Sequence, residues 1–185
     1  MNTTPDPTHM PSDQTVEVLN RHLTGDFTVY PMAALPSSVD RVQEVASKLG
    51  VSLPPDLVAH LSGQFPGIYV AVKEEVWPRP KAWDVGPSWS FLYAIHTYTV
   101  APDSEDWMRL DFAGRKFREE TGLAAAPVLR VVGDANLYCV TPGGEFVLFD
   151  HALGRLEPVA GTFFQIFERE VAALAERALR KKNAG

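Results

Sequence analysis

Five histidines, His9, His22, His60, His96 and His151, are the first place to look for acid–base or metal chemistry in this chain. No two stand at the short spacing by which a turn or helix presents paired metal ligands, and the single cysteine, Cys139, cannot complete a thiolate set. A cluster of His60, His96 and His151 would have to be assembled by the fold alone. Asp150-His151 has the composition of a catalytic dyad, but neighbours on a strand point to opposite faces, so their side chains cannot cooperate directly. Cys139, between Tyr138 and Val140, has no nearby cation to favour a thiolate and reads as a small core hydrophobe. Glu74-Glu75 and Glu119-Glu120 are carboxylate pairs of the solvated kind. The sequence holds no GxSxG elbow, P-loop, GxGxxG or HExxH. No catalytic, cofactor-binding or metal-binding set is expected from these residues.

A different chemistry is offered by WPRPKAWDVGPSW, where Trp77, Trp83 and Trp89 share a stretch with three prolines. Proline and glycine at this density preclude a regular element, so an ordered loop is expected. Its tryptophans either roof the core or stand out as binding anchors, with Arg79 and Lys81 between them keeping the second reading open. Aromatic and basic residues interleaved in this way also suit single-stranded nucleic acid.

The elements that must position these residues follow from periodicity. Ser12 or Asp13 can cap a short helix carrying Val16, Leu19 and Leu23, ended near Gly25, and FTVY before Pro31 suits an edge strand. Ser38 to Leu49 puts Val39, Val42, Ala46 and Leu49 on one helical face, with Gly50 at the C-terminal cap. Pro54-Pro55 opens a second helix with Leu57, Val58 and Leu61. GIYVAV and SFLYAIHTYTV read as strands, and Asp103 to Thr121 as a helix with an acidic first turn of Ser104, Glu105 and Asp106. VLRVV and NLYCV are short strands, the second joined by TPGG to EFVLFDH in a hairpin. Thr162 and Gln165 form a capping box for a last helix bearing Phe163, Phe167, Val171, Leu174 and Ala178.

The chain has 185 residues, 45% hydrophobic and 22% charged, which suits one globular domain and no disulfide framework. We expect a disordered leader over 1–11 and a single α+β domain over 12–183. No stretch approaches the roughly 20 apolar residues of a membrane span, and MNTTPDPTHMPSDQ lacks the basic start and apolar run of a signal peptide, so a cytoplasmic protein is expected. Seventeen basic against 23 acidic side chains give a net charge of −6. Arg177, Arg180, Lys181 and Lys182 sit together, and with those four cations set aside the −6 becomes −10 for the rest. An acidic body disfavours nucleic acid and suits a basic protein partner.

The order of motifs resembles the SUKH superfamily, which holds yeast cell-wall-synthesis regulators and many bacterial immunity proteins. Leu49-Gly50, Leu53-Pro54 and Leu57 to Leu61 match its opening helix, Leu-Pro and second helix. Gly133-Asp134, Gly143-Gly144, Asp150-His151 and Thr162-Phe163 match its C-terminal half, so the resemblance covers residues 38 to 178. The chain departs from the pattern at SGQFPG, where the family carries a Gly-Gly turn, and in an abbreviated acidic run near Asp134.

The resemblance implies a twisted, mostly antiparallel sheet with helices on one face, a long C-terminal helix and no enzyme activity. Bacterial members neutralise secreted polymorphic toxins, often nucleases, by direct contact. The leading expectation is therefore an immunity protein that binds a basic toxin domain, with Trp77, Trp83, Asp84, Asp134 and Asp150 as the contact surface. Two alternatives stay open: a small hydrolase or transferase using His96 or His151 with an acidic partner, and a regulatory module in cell-envelope synthesis.

Overall fold

Side-chain caps start three of the helices that the sequence marks. The computed structural model describes residues 13–81, 83 and 86–184; the leader expected over 1–11 lies outside them. Asp13 caps α1 (Gln14–His22) by accepting from the Thr15 amide at 2.9 Å, while its other oxygen accepts from the Gln64 amide at 2.8 Å. Ser38 caps α2 (Val39–Leu49), which ends at Gly50 with φ 66°, a left-handed conformation that glycine adopts without penalty. Pro55 begins α3 (Pro55–Leu61), where a missing amide proton costs nothing.

Seven strands follow one another across a single antiparallel sheet: β1 (Phe27–Pro31), β2 (Ile68–Val72), β3 (Ala94–Thr97), β4 (Ala126–Val131), β5 (Leu137–Val140), β6 (Phe146–Asp150) and β7 (Arg155–Pro158). Between β3 and β4 lies α4 (Leu110–Thr121), and after β7 comes α5 (Phe163–Asn183), opened by the reciprocal Thr162/Gln165 capping box. The β5–β6 hairpin turns at TPGG with Gly144 at φ 84°.

Cross-strand partners share a face, so the register sorts the side chains. Val70, Ile95, Val131, Leu129, Tyr138, Val140 and Phe146 lie on one face. Onto it pack Val18 and Leu19 of α1, Val42, Val45, Ala46 and Leu49 of α2, Leu57 and Leu61 of α3, and Phe163, Ile166, Phe167, Val171 and Leu174 of α5. The opposite face carries Tyr30, Tyr69, His96, Arg130, Leu137, Cys139, Val147 and Phe149. α4 covers part of it, packing along β4 and reaching over β5 and β6, where Phe117 meets Phe149 edge-on at 5.0 Å with Cys139 and Val147 beside them. The chain is thus an α+β protein with a long C-terminal helix and most of its helices on one side of the sheet.

Several local expectations are corrected. Val39 is exposed and Val45 takes its place in the core, because the face that meets the sheet is rotated from the one the spacing suggested. In α1 the inward residues are Thr15, Val18 and Leu19. The long strand expected over SFLYAIHTYTV is confined to Ala94–Thr97; Ser88–Phe91 forms a 3-10 turn, since Pro87 sets its start. The helix expected from Asp103 begins only at Leu110, after a 3-10 turn over Asp106–Met108, because Arg109 and Thr99 pair as an isolated bridge. Strand β7 was not anticipated: RLEP carries one aliphatic residue and a proline, and it forms because it is an edge strand.

Candidate functional site

The histidines do not come together. His60 is fully buried on the sealed side, its Nδ1 2.8 Å from Thr15 Oγ1 and its Nε2 2.7 Å from Thr97 Oγ1. Phe163 and Phe167 flank its ring. A neutral imidazole donates at one nitrogen and accepts at the other, which two hydroxyls can satisfy, and burial pushes its pKa down to about 4. His60 therefore ties α1, α3 and β3 together as a structural group. His96, one residue before Thr97, points to the opposite face, where burial likewise lowers its pKa to about 4. His151 stands exposed in the turn after β6.

Between α4 and the open face lies a cleft of about 670 Å³, walled by Tyr98, Trp107, Phe112, Phe117, Leu137 and Phe149 with Arg130, Asp134 and His151 at its polar edge. His151 and Asp134 thus share a cleft, as the hydrolase alternative requires. Among the described residues, however, neither His96 nor His151 has a side-chain hydrogen bond to a carboxylate. His96 Nδ1 lies 3.3 Å from the Thr97 carbonyl, and the Asp134 carboxylate accepts from the Asn136 amide at 2.9 Å. A general base needs an orienting partner within reach, and none is in place. Burial pushes the Cys139 thiol up to about 12, so it is no nucleophile at neutral pH. No group of three His, Cys, Asp or Glu among the described residues could hold a metal ion.

The anticipated contact residues divide. Trp77 is a correction: it is 3% exposed, and its indole N–H donates to the Ser90 carbonyl at 3.1 Å, so it roofs the core and cannot meet a partner. Trp83 is the reverse, 79% exposed, and Trp89 is also exposed. Asp84 lies outside the described residues. Asp134 and Asp150 are half-buried and each closes a turn, Asp150 by accepting from the Leu153 amide at 3.0 Å. The turns meet, because Asn136 Oδ1 accepts from the His151 amide at 3.0 Å. The 3-10 turn that carries Trp89 meets them too: a Cβ on Gly133 (φ 85°) would lie 2.6 Å from Phe91 Cβ. The fold therefore gathers the tryptophan loop, Asp134 and Asp150 at one end of the sheet.

The residues missed by sequence reasoning are Tyr30, Tyr69 and Trp107. Tyr30 and Tyr69 are paired across β1 and β2 on the open face, and Trp107 stands over the same surface from the 3-10 turn before α4. A signal existed: both tyrosines occupy the outward phase of strands whose inward phase is Val29, Ile68 and Val70. Among the described residues, no helix is long and apolar enough to cross a membrane. None of the known family models, curated proteins or solved structures compared with the chain matches it.

Proposed function

We propose that this chain is a non-enzymatic, cytoplasmic protein-binding domain of the immunity type, which captures a basic toxin domain by direct contact. The observation that carries the reading is the aromatic surface left outside the core: Trp83 and Trp89 project to solvent at the sheet end where the Asp134 and Asp150 turns meet. Large aromatic side chains at the same sheet end as two carboxylates supply what a binding hot spot needs, apolar area at low conformational cost with charge to steer a cationic partner. The acidic body supports the same reading, as does the agreement between this α+β architecture and the one that the SUKH resemblance implies. In the complex, Trp83 anchors and slows dissociation, while Asp134 and Asp150 speed association.

The test is co-expression with the product of a neighbouring toxin-like reading frame. Growth should be rescued, and the two proteins should purify together. Trp83→Ala should weaken the complex by about 2 kcal/mol or more while leaving the melting temperature in place. A lowered melting temperature with unchanged binding kinetics retires Trp83 as a contact; no rescue and no complex sinks the immunity reading.

A further inference from the structure

The cleft between α4 and the open face holds two hydrogen-bond donors that the protein itself leaves unused. Its walls are aromatic: Phe117 and Phe149 meet edge-on at 5.0 Å, and Phe112 joins them from α4. Trp107 is held in place by its indole N–H, which donates to Glu105 Oε2 at 2.7 Å. Tyr98 also lines the cleft, only 6% exposed, and its hydroxyl makes no hydrogen bond to any described residue. That oxygen is not sealed away, because among the described residues the one fully buried side-chain nitrogen or oxygen without a partner is Arg177 Nη2. The little of Tyr98 that solvent reaches thus includes its hydroxyl. Burial pushes the group up to about 12, so it stays protonated and can donate.

Arg130 is the second unused donor. Its register partners are His96 on one side and Leu137 on the other, which places it on the open face at the sheet side of the cleft. Among the described residues it makes no ion pair and no hydrogen bond, although a guanidinium carries five N–H groups. The other charges that line the cleft have partners. Lys116 lies 3.8 Å from Glu120 one turn along α4, and an Asp134 oxygen accepts from the Asn136 amide at 2.9 Å. His151 stands exposed at the rim. Arg130 is the charge that acts on Tyr98 and on His96, whereas Asp134 acts on Arg177. The cleft is therefore cationic at its Tyr98 end and acidic at its turn end.

We propose that the cleft binds a small aromatic carboxylate, its ring among Trp107, Phe112, Phe117 and Phe149 and its carboxylate on Arg130 and the Tyr98 hydroxyl. A guanidinium fork matches the two oxygens of a carboxylate, and a phenol can donate to the same group. A carboxylate leaving water for an apolar cleft needs such donors, because burying it unpaired is costly. Ring walls favour a flat body, since aromatic pairs gain from offset and edge-on packing in a way that a flexible alkyl chain does not. A phosphate fits less well: one guanidinium would have to answer two charges, with Glu120 and Asp134 on the same cleft to repel them. The volume of about 670 Å³ is that of a small-molecule site, apolar with a few placed polar groups. The proposal is independent of the immunity reading.

The probe is sodium cinnamate, titrated into isotope-labelled full chain while the Arg130 side-chain Nε–H, the indole N–H resonances and the backbone amides are followed by NMR. The Arg130 Nε–H, the Trp107 indole and the amides of Leu137 and Phe149 should shift together and saturate. Cinnamamide, which keeps the ring and loses the charge, should bind about tenfold more weakly, and octanoate and phenyl phosphate should also be weaker. Arg130→Gln and Tyr98→Phe, each checked for an unchanged melting temperature, should weaken cinnamate binding about tenfold and about threefold, and leave cinnamamide binding as it is. Should Tyr98→Phe not fold, Arg130→Gln at an exposed position still decides the matter. The proposal is overturned by the absence of a saturable shift at these groups, or by largest shifts at Trp83 or Trp89. Cinnamamide or cinnamylamine binding as tightly as cinnamate overturns it too, as does a folded Arg130→Gln variant that binds cinnamate like the parent. Octanoate binding as tightly as cinnamate overturns the aromatic assignment.

Discussion

The two faces of this sheet meet water on different terms. On one, four helices cover the strands, and even the polar group inside, His60, has both ring nitrogens within 2.8 Å of a hydroxyl. On the other, α4 packs along β4 and reaches over the β5–β6 end, and on β1 to β4 tyrosine, histidine and arginine occupy positions that aliphatic residues hold on the sealed side. Tyrosine tolerates such a position because it has an apolar body and a polar edge. The sealed face makes the fold, and the open face and the adjoining sheet end leave large aromatic side chains at the surface.

The sharpest way to break this contrast is to truncate matched aromatics. Phe167→Ala on the sealed face should cost about 3–5 kcal/mol, as core phenylalanine truncations do, whereas Tyr30→Ser on the open face should stay within about 1 kcal/mol by denaturant melts. Equal costs would mean the open face is not open. Trp77→Ala belongs with Phe167→Ala, because its ring is in the core.

Acid provides the next test. His60 and His96 have folded pKa values of about 4 against an ordinary 6.5, so the unfolded chain takes up these protons first as pH falls. The histidine contribution should be complete above pH 6.5, decline from there to pH 4 and level off below, by about 3 kcal/mol per histidine at ~1.4 kcal/mol per pH unit of difference. Protonation of carboxylates such as Asp111, held low by Arg109, goes on removing stability in stronger acid. His96→Gln should remove only the open-face share of that slope. A flat profile between pH 6.5 and 4 would show that neither imidazole is desolvated.

The smallest effect concerns the helix that seals the core. Thr162→Ala deletes the capping box, which should cost about 1 kcal/mol and leave partner affinity untouched. If affinity changed as well, α5 would communicate with the binding end of the sheet, and the division between faces would blur.

Much of the fold was legible because its signals are local. The Thr162/Gln165 box, Ser38 with Gly50, and TPGG each specify one element through a few adjacent residues, and the structure bears out all three. Elements fixed by tertiary context were not legible: β7 exists because β6 offers it a partner, and α4 starts late because Arg109 is held beside Thr99. The same division runs through the candidate site. Inside a loop without periodicity nothing distinguishes buried Trp77 from exposed Trp83. Tyr30, Tyr69 and Trp107 lie 39 and 38 positions apart along the chain and become neighbours only through sheet register.

The sequential strand order carries a kinetic consequence. Every strand pairs with the strand next to it in the chain, so the meander needs no crossover, and its β4–β7 half closes through turns of only a few residues. Sealing it is another matter, because α5 must dock on α1, where Glu168 meets Arg21 and His22 from nearly 150 residues away. Assembly therefore combines local pairing of β4 to β7 with longer-range closures that join strands β1 through β4 and bring α5 onto α1. Until α5 docks, the part of the sheet that Phe163, Ile166, Phe167, Val171 and Leu174 cover lacks its lid, so a chain truncated before Thr162 should expose apolar surface and self-associate.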